Sequence, residues 1–127
     1  MTITPSLKSI LVAAVVAGSA GLASAQMPVK MTGGMLTNAA GMTLYTFDKD
    51  IAGSGKSACN GPCAANWPPL MAQGSDRPVG DYSIVLREDG TWQWAFKGKP
   101  LHLWSKDQKP GDKSGDGFNN MWHVAKP

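Results

Sequence analysis

The sequence predicts a small, mostly β single domain of two related aromatic β units, an antiparallel hairpin or meander with long loops. Three observations point that way. Leu44-Tyr45-Thr46-Phe47-Asp48-Lys49-Asp50 returns 57 positions later as Leu101-His102-Leu103-Trp104-Ser105-Lys106-Asp107. Each copy follows a glycine, Gly41 or Gly98, and precedes a tryptophan, Trp67 or Trp122. Self-similarity of this kind marks a repeated supersecondary unit. Asp89-Gly90 sits between two runs of alternating residues, among the strongest short-range hairpin signals. Past the N-terminal leader, no segment keeps apolar residues at the roughly 3.6-residue spacing of an amphipathic helix.

Residues 1–25 have the make-up of an export signal. Lys8 gives a positive start, residues 10–18 form a short apolar run, and Ala23-Ser24-Ala25 is a small-x-small cleavage pattern, with processing expected before Gln26. The apolar run is too short to remain as a membrane anchor. No cysteine lies at the cleavage point, so no lipid anchor is expected there. The mature chain, residues 26–127, is one domain's worth, with unit one at about 31–72 and unit two at about 80–127. Its expected location is periplasmic or secreted.

Residues 27–30 are a lead-in, 31–37 carry two glycines, and Asn38-Ala39-Ala40-Gly41 is turn chemistry. Residues 42–47 alternate as a strand, with Tyr45 and Phe47 on one face and Leu44 and Thr46 on the other. Residues 48–69 are rich in Gly, Ser, Asn, Ala and Pro and read as a long loop pinned by a Cys pair and Trp67. A helical turn at 64–66 would be stopped by Pro68-Pro69. After a loop at 73–80, residues 82–87 and 91–96 flank the turn Glu88-Asp89-Gly90. Lys97-Gly98-Lys99 turns the chain into a strand at 100–104, which completes a meander. Residues 105–120 are a polar loop, and 121–125 form the last strand.

The full chain carries a net charge of +3, from 12 basic and 9 acidic residues, with no run of like sign. A basic face for nucleic acid is therefore not expected. Cys59 and Cys63 are the only cysteines, and export places them where disulfides form. Asn60-Gly61-Pro62 between them is turn chemistry that brings the sulfurs together. A structural disulfide is the plain expectation, and a redox pair or a metal clip is the alternative.

The aromatic stripes, Tyr45 with Phe47, His102 with Trp104, and Trp92 with Trp94 and Phe96, either fill the core or form a stacking platform for a sugar, a haem or another flat ligand. Trp67 and Trp122 are expected at matching places, each against the aromatic strand of its own unit. Asp50 and Asp107 stand where each aromatic strand ends, placed to accept hydrogen bonds from the following loop. His102 is expected at a half-exposed ring position. Asp112-x-Ser114-x-Asp116-Gly117 resembles the start of a calcium loop, but His123 stands where the bidentate glutamate belongs. Turn formation is the simpler role for these aspartates. No metal site is expected. The alternative is copper held by Cys59, Cys63 and His102, with Met27, Met31, Met35 and Met42 as soft thioethers and His123 as a second imidazole. A Cys-x3-Cys pair with a distant histidine also resembles the site of periplasmic copper chaperones of the oxidase-assembly type. Those sit in a thioredoxin fold, and no β–α alternation is present here.

Tyr45-x-Phe47-x-x-Asp50 resembles the Tyr-x-(Phe/Trp/Tyr)-x-x-Asp signature of a bacterial family of secreted repeat proteins often labelled lipoproteins. The resemblance runs on through Ser57-Ala58-Cys59-Asn60-Gly61-Pro62-Cys63, Trp67-Pro68-Pro69-Leu70, Gly98-Lys99-Pro100-Leu101, Lys109-Pro110-Gly111-Asp112 and Trp122-His123-Val124. It implies a tandem of two such units with no assigned catalytic activity. Two departures stand out: His102 replaces the tyrosine of the second copy, and the cysteine of a lipoprotein leader is absent.

No Gly-x-Ser-x-Gly, His-Glu-x-x-His or phosphate-cradling loop is present, and Glu88 is the one glutamate. The expectation is an exported, non-catalytic β domain with a binding or interaction role. A periplasmic copper-binding or thiol-redox protein is the alternative. The partner is not legible in the sequence.

Overall fold

The computed structural model describes residues 27–127, and the leader expected at 1–25 lies outside them. The fold is mostly antiparallel β. Strands β1 (Val29–Thr32) and β2 (Met35–Asn38) form a hairpin. The two-residue turn between them is Gly33-Gly34, both with positive φ. That hairpin was missed in the sequence, although two glycines between short strands are its local signature. Asn38 then closes the next turn by accepting the backbone N–H of Ala40 and Met42 on its Oδ1 at 3.0 and 2.9 Å. The chain enters β3 (Tyr45–Phe47), and the short helix α1 (Pro62–Asn66) follows in the long loop. Pro62 opens that helix, where its missing N–H is no loss.

Strands β4 (Met71–Ala72), β5 (Tyr82–Leu86), β6 (Trp92–Phe96) and β7 (Lys99–Pro100) form one sheet. β5, β6 and β7 are the expected meander, and β4 runs along the same edge of β6 as β7. Asp89 ties the β5–β6 turn by accepting the N–H and the hydroxyl of Thr91 at 3.0 and 2.6 Å. A 3-10 turn (Phe118–Asn120) leads into β8 (Trp122–Val124), which pairs with β3.

The two repeats are interleaved. Tyr45 and His102, equivalent residues of the two copies, face each other as an antiparallel pair, each N–H donating to the other's carbonyl at 2.8 and 2.9 Å. A residue that pairs with its own counterpart places a pseudo-twofold axis between the two. The remaining ladder obeys it. β3 of the first repeat pairs with the tryptophan strand of the second, Phe47 opposite Trp122. The second repeat's aromatic segment pairs with the tryptophan segment of the first, where Pro69 bridges His102 and Leu103 N–H donates to Pro68 at 2.7 Å. Each half also closes a ring of backbone hydrogen bonds through three residues. Leu36, Ala125 and Leu44 form one, and Trp94, Leu70 and Leu101 form the other, all at 2.8–3.0 Å.

Side-chain alternation along the two central segments then sends leucines one way and rings the other. Leu36, Leu44, Leu70, Trp94, Phe96 and Leu101 fill one core. Tyr45, Phe47, Cys59, Trp67, Trp104 and Trp122 fill the other. Trp67 and Trp122 lie at matching places, each edge-on against the first ring of its own unit's aromatic strand, Tyr45 or His102, as the sequence led us to expect. Each also stacks face to face on the aromatic strand of the opposite repeat, which the sequence did not show, because that is the strand it pairs with. Trp67 lies 3.9 Å from Trp104, and Trp122 lies 4.2 Å from Phe47.

Candidate functional site

The motif residues converge on the pseudo-twofold axis. Phe47, Trp122, Trp67 and Trp104 form a continuous stack of four rings, the central pair 3.8 Å apart and 2° from parallel. Tyr45 and His102 meet the stack edge-on, against Trp67 and Trp122 respectively. Each such ring pair contributes about 0.5–1.5 kcal/mol beyond its buried area. All these rings are buried, so they are core in this fold.

The two motif aspartates cross between repeats in the same way. Asp50 Oδ2 lies 3.0 Å from His102 Nε2, and Asp107 Oδ2 accepts the Tyr45 hydroxyl at 2.7 Å. Each aspartate also holds its own following loop. Asp50 accepts Ser57 Oγ at 3.0 Å and the Ala58 N–H at 2.6 Å, and Asp107 accepts Ser114 Oγ and N–H at 2.6 and 3.0 Å. Burial, first, and the hydrogen bond to Asp107, second, push the Tyr45 phenol far above its ordinary value near 10. The hydroxyl stays a donor at any physiological pH.

His102 is fully buried, which corrects the expected half-exposed position. The cause is the exchanged strand: Pro68-Pro69 lies alongside it, and Trp67 O sits 3.3 Å from its Nδ1. Both ring nitrogens therefore face oxygen acceptors. Cys59 and Cys63 are joined in a disulfide, with Cα atoms 5.2 Å apart. Arg87, itself buried, clasps that loop by donating to Cys59 O at 2.7 Å and Asn60 Oδ1 at 3.0 Å, while its other nitrogen donates to Gln93 Oε1 at 2.7 Å. A buried guanidinium held by three neutral acceptors is a feature that sequence reasoning did not find. Copper ligation by the alternative set Cys59, Cys63 and His102 would need the disulfide reduced and the His102 bonds broken.

Among the described residues, no group of three His, Cys, Asp or Glu side chains is arranged to hold a metal ion. In the calcium-like loop, Asp112 accepts the Gln108 and Lys109 N–H groups at 2.8 and 3.1 Å, and Asp116 accepts that of Val124 at 3.1 Å. The Gln108 N–H, before other contacts, holds the Asp112 carboxyl below its ordinary range. Both carboxylates are turn and strand anchors.

Exposed chemistry lies elsewhere. On β6, Trp94 and Phe96 are buried while Trp92 is 42% exposed, next to a groove of about 300 Å3 lined by Ile84, Pro78, Gln73, Asp76 and Arg77. No curated protein and no solved structure matches the chain. A family described as a secreted repeat of unknown function matches it twice, over residues 29–71 and 83–126, which is more than half of its length. The two matches fall on the two copies of the aromatic motif, one on each side of the pseudo-twofold axis, and the chain belongs to that family of secreted repeats.

Proposed function

We propose that this exported protein is a non-catalytic binding module of the periplasm or the cell exterior, and that its ligand face is the groove at Trp92. The fate of the five tryptophans carries the proposal. Trp67, Trp94, Trp104 and Trp122 are between 2% and 8% exposed, whereas Trp92 keeps 42% of its surface in water. Full burial of a large apolar side chain stabilises by about 1.5–3 kcal/mol, so an exposed ring forgoes much of that gain. Beside it, Ile84 and Pro78 make an apolar wall, and Gln73, Asp76 and Arg77 set planar polar groups on the rim. An apolar platform with a few placed polar groups suits a flat, hydroxyl-bearing ring such as a sugar. The non-catalytic reading is supported by the motif carboxylates, whose oxygens are already engaged as acceptors inside the fold.

Calorimetric titration with cello-, chito- and malto-oligosaccharides tests this. At least one series should bind the wild type, and Trp92→Ala should weaken it tenfold or more, about 1.4 kcal/mol. Phe118→Ala, a control at the other exposed aromatic, should bind as the wild type does. Equal affinity in Trp92→Ala, or no binding by the wild type, removes the groove from consideration.

A further inference from the structure

A second pocket, of about 390 Å3, opens between β3, β8 and the β6–β7 turn. The residues that line it include Lys97, Lys99 and Lys126, with Thr46 and His123. The one aspartate among the lining residues, Asp48, is engaged by His123 Nε2 at 3.0 Å. Three lysines thus stand against Asp48 and the carboxylate of Pro127, which also lines the pocket, in a chain whose charges are otherwise interspersed. We propose that this pocket is an oxyanion site for a phosphate-bearing ligand, with Lys97, Lys99 and Lys126 as its cationic walls and the Thr46 hydroxyl as a further donor. Lysine binds phosphate as a point charge, and several around one concavity raise the local concentration of anions.

The repeat supplies an internal control. Around the pseudo-twofold axis, Lys99 and Lys126 correspond to Met42 and Met71, while Thr46, Asp48 and His123 correspond to Leu103, Ser105 and Pro68, so the flanking paired segments form in the other half without these charges. The turns differ: three residues, Ala39-Ala40-Gly41, separate Asn38 from Met42, where only Lys97-Gly98 separates Phe96 from Lys99, so the tighter turn is particular to the half that carries the lysines. Their setting is also built against local preference. Lys97 has φ 50° and Gly98 has φ 82°, a two-residue turn whose first position favours Asn, Asp or Gly. That turn is clamped: Gly53 N–H donates to Gly98 O at 3.0 Å, and a Cβ on Gly98 would lie 2.6 Å from Gly53 N. Lys97 Nζ is 5.3 Å from the centroid of Phe96, whose ring also lines the pocket.

The site is independent of the Trp92 groove, and its test is separate. Pyrophosphate and inorganic phosphate are titrated calorimetrically into the exported chain at low ionic strength, and co-sedimentation is run with phosphatidylglycerol and with phosphatidylcholine vesicles. The wild type should bind pyrophosphate, and added salt should weaken the interaction. Lys99→Gln/Lys126→Gln and Lys97→Asn should each weaken it at least tenfold, whereas Trp92→Ala should leave it unchanged. Lys97→Asn should also melt at a higher temperature, because asparagine tolerates the left-handed backbone; weaker binding in a more stable protein separates site loss from unfolding. Lysine-dependent binding to phosphatidylglycerol vesicles alone identifies a lipid phosphate as the source, and binding to pyrophosphate alone identifies a soluble one. Binding that is indifferent to the lysine changes, or no binding of either probe, overturns the proposal.

Discussion

Asp50 and Asp107 perform one task for opposite halves: each ends its own strand, fastens its own loop and holds the central ring of the other repeat. The Asp50–His102 contact is almost wholly shielded from water, so removing one partner leaves the other buried without it, Asp50 keeping Ser57 and Ala58 and His102 keeping Trp67 O. Asp50→Ala and His102→Ala should each lower stability by about 3–5 kcal/mol. Denaturant unfolding of both single variants and the double variant should show a coupling of about 0.5–3 kcal/mol. Losses that simply add would mean the contact is not an energetic unit. Tyr45 makes a pH-dependent prediction. Its folded-state value is raised above the ordinary value near 10, so the folded state holds the phenolic proton more tightly. The stability this contributes is complete below about pH 10 and declines as pH rises above it. Wild-type melting temperatures should therefore fall above pH 10 by more than those of Tyr45→Phe, and parallel curves for the two proteins would contradict the burial of a protonated phenol.

Among the elements, the β5–β6 hairpin was legible because Asp89-Gly90 states its turn and the flanking runs alternate. The β1–β2 hairpin was not, because its strands are only four residues each and the alternation Val29-Lys30-Met31-Thr32 is too short to stand out. The segment at 100–104 was expected as a full strand, but only Lys99–Pro100 stays on β6. Leu101 N–H donates to Trp94 O within the backbone ring, and the chain then leaves the sheet for the axis. The polar loop at 105–120 packs against the aromatic stack at Gly115. A Cβ on Gly115 would lie 2.7 Å from the outer edge of Trp67 and 3.0 Å from Trp104. Gly115→Ala should cost about 1–3 kcal/mol as an overpacking change. Gly74→Ala, in open space, is the control; equal stabilities in thermal or urea unfolding would show that the stack yields freely.

At the scale of the whole molecule, the exchanged strands make the repeats interdependent. The first half lacks its own third strand, which is β8, and the second half lacks the Trp67–Leu70 segment that completes it. A fragment of residues 27–78 and one of 79–127 should each fail to unfold cooperatively as monomers, and an equimolar mixture should recover the near-ultraviolet dichroism of the stacked tryptophans. Either fragment folding alone as a monomer would contradict the interleaving. For the same reason the intact domain should unfold in a single transition, since both cores draw residues from both halves.

The repeat, the mostly β class, the disulfide pair and the family were readable from the sequence, because turn residues, alternation and spacing are local properties of the chain. Tertiary structure alone decided which copy each strand pairs with. Trp67 and Trp122 occupy equivalent places whether strands stay at home or exchange, and the two arrangements present the same local residues, so spacing cannot distinguish them. That single choice buried His102 beside Asp50, joined Tyr45 to Asp107 and stacked the four rings. Packing also decided which ring of the third stripe was left over: Trp92, Trp94 and Phe96 are identical in period, but Trp92 sits at the end of β6, where its partner on β5, Leu86, is exposed as well.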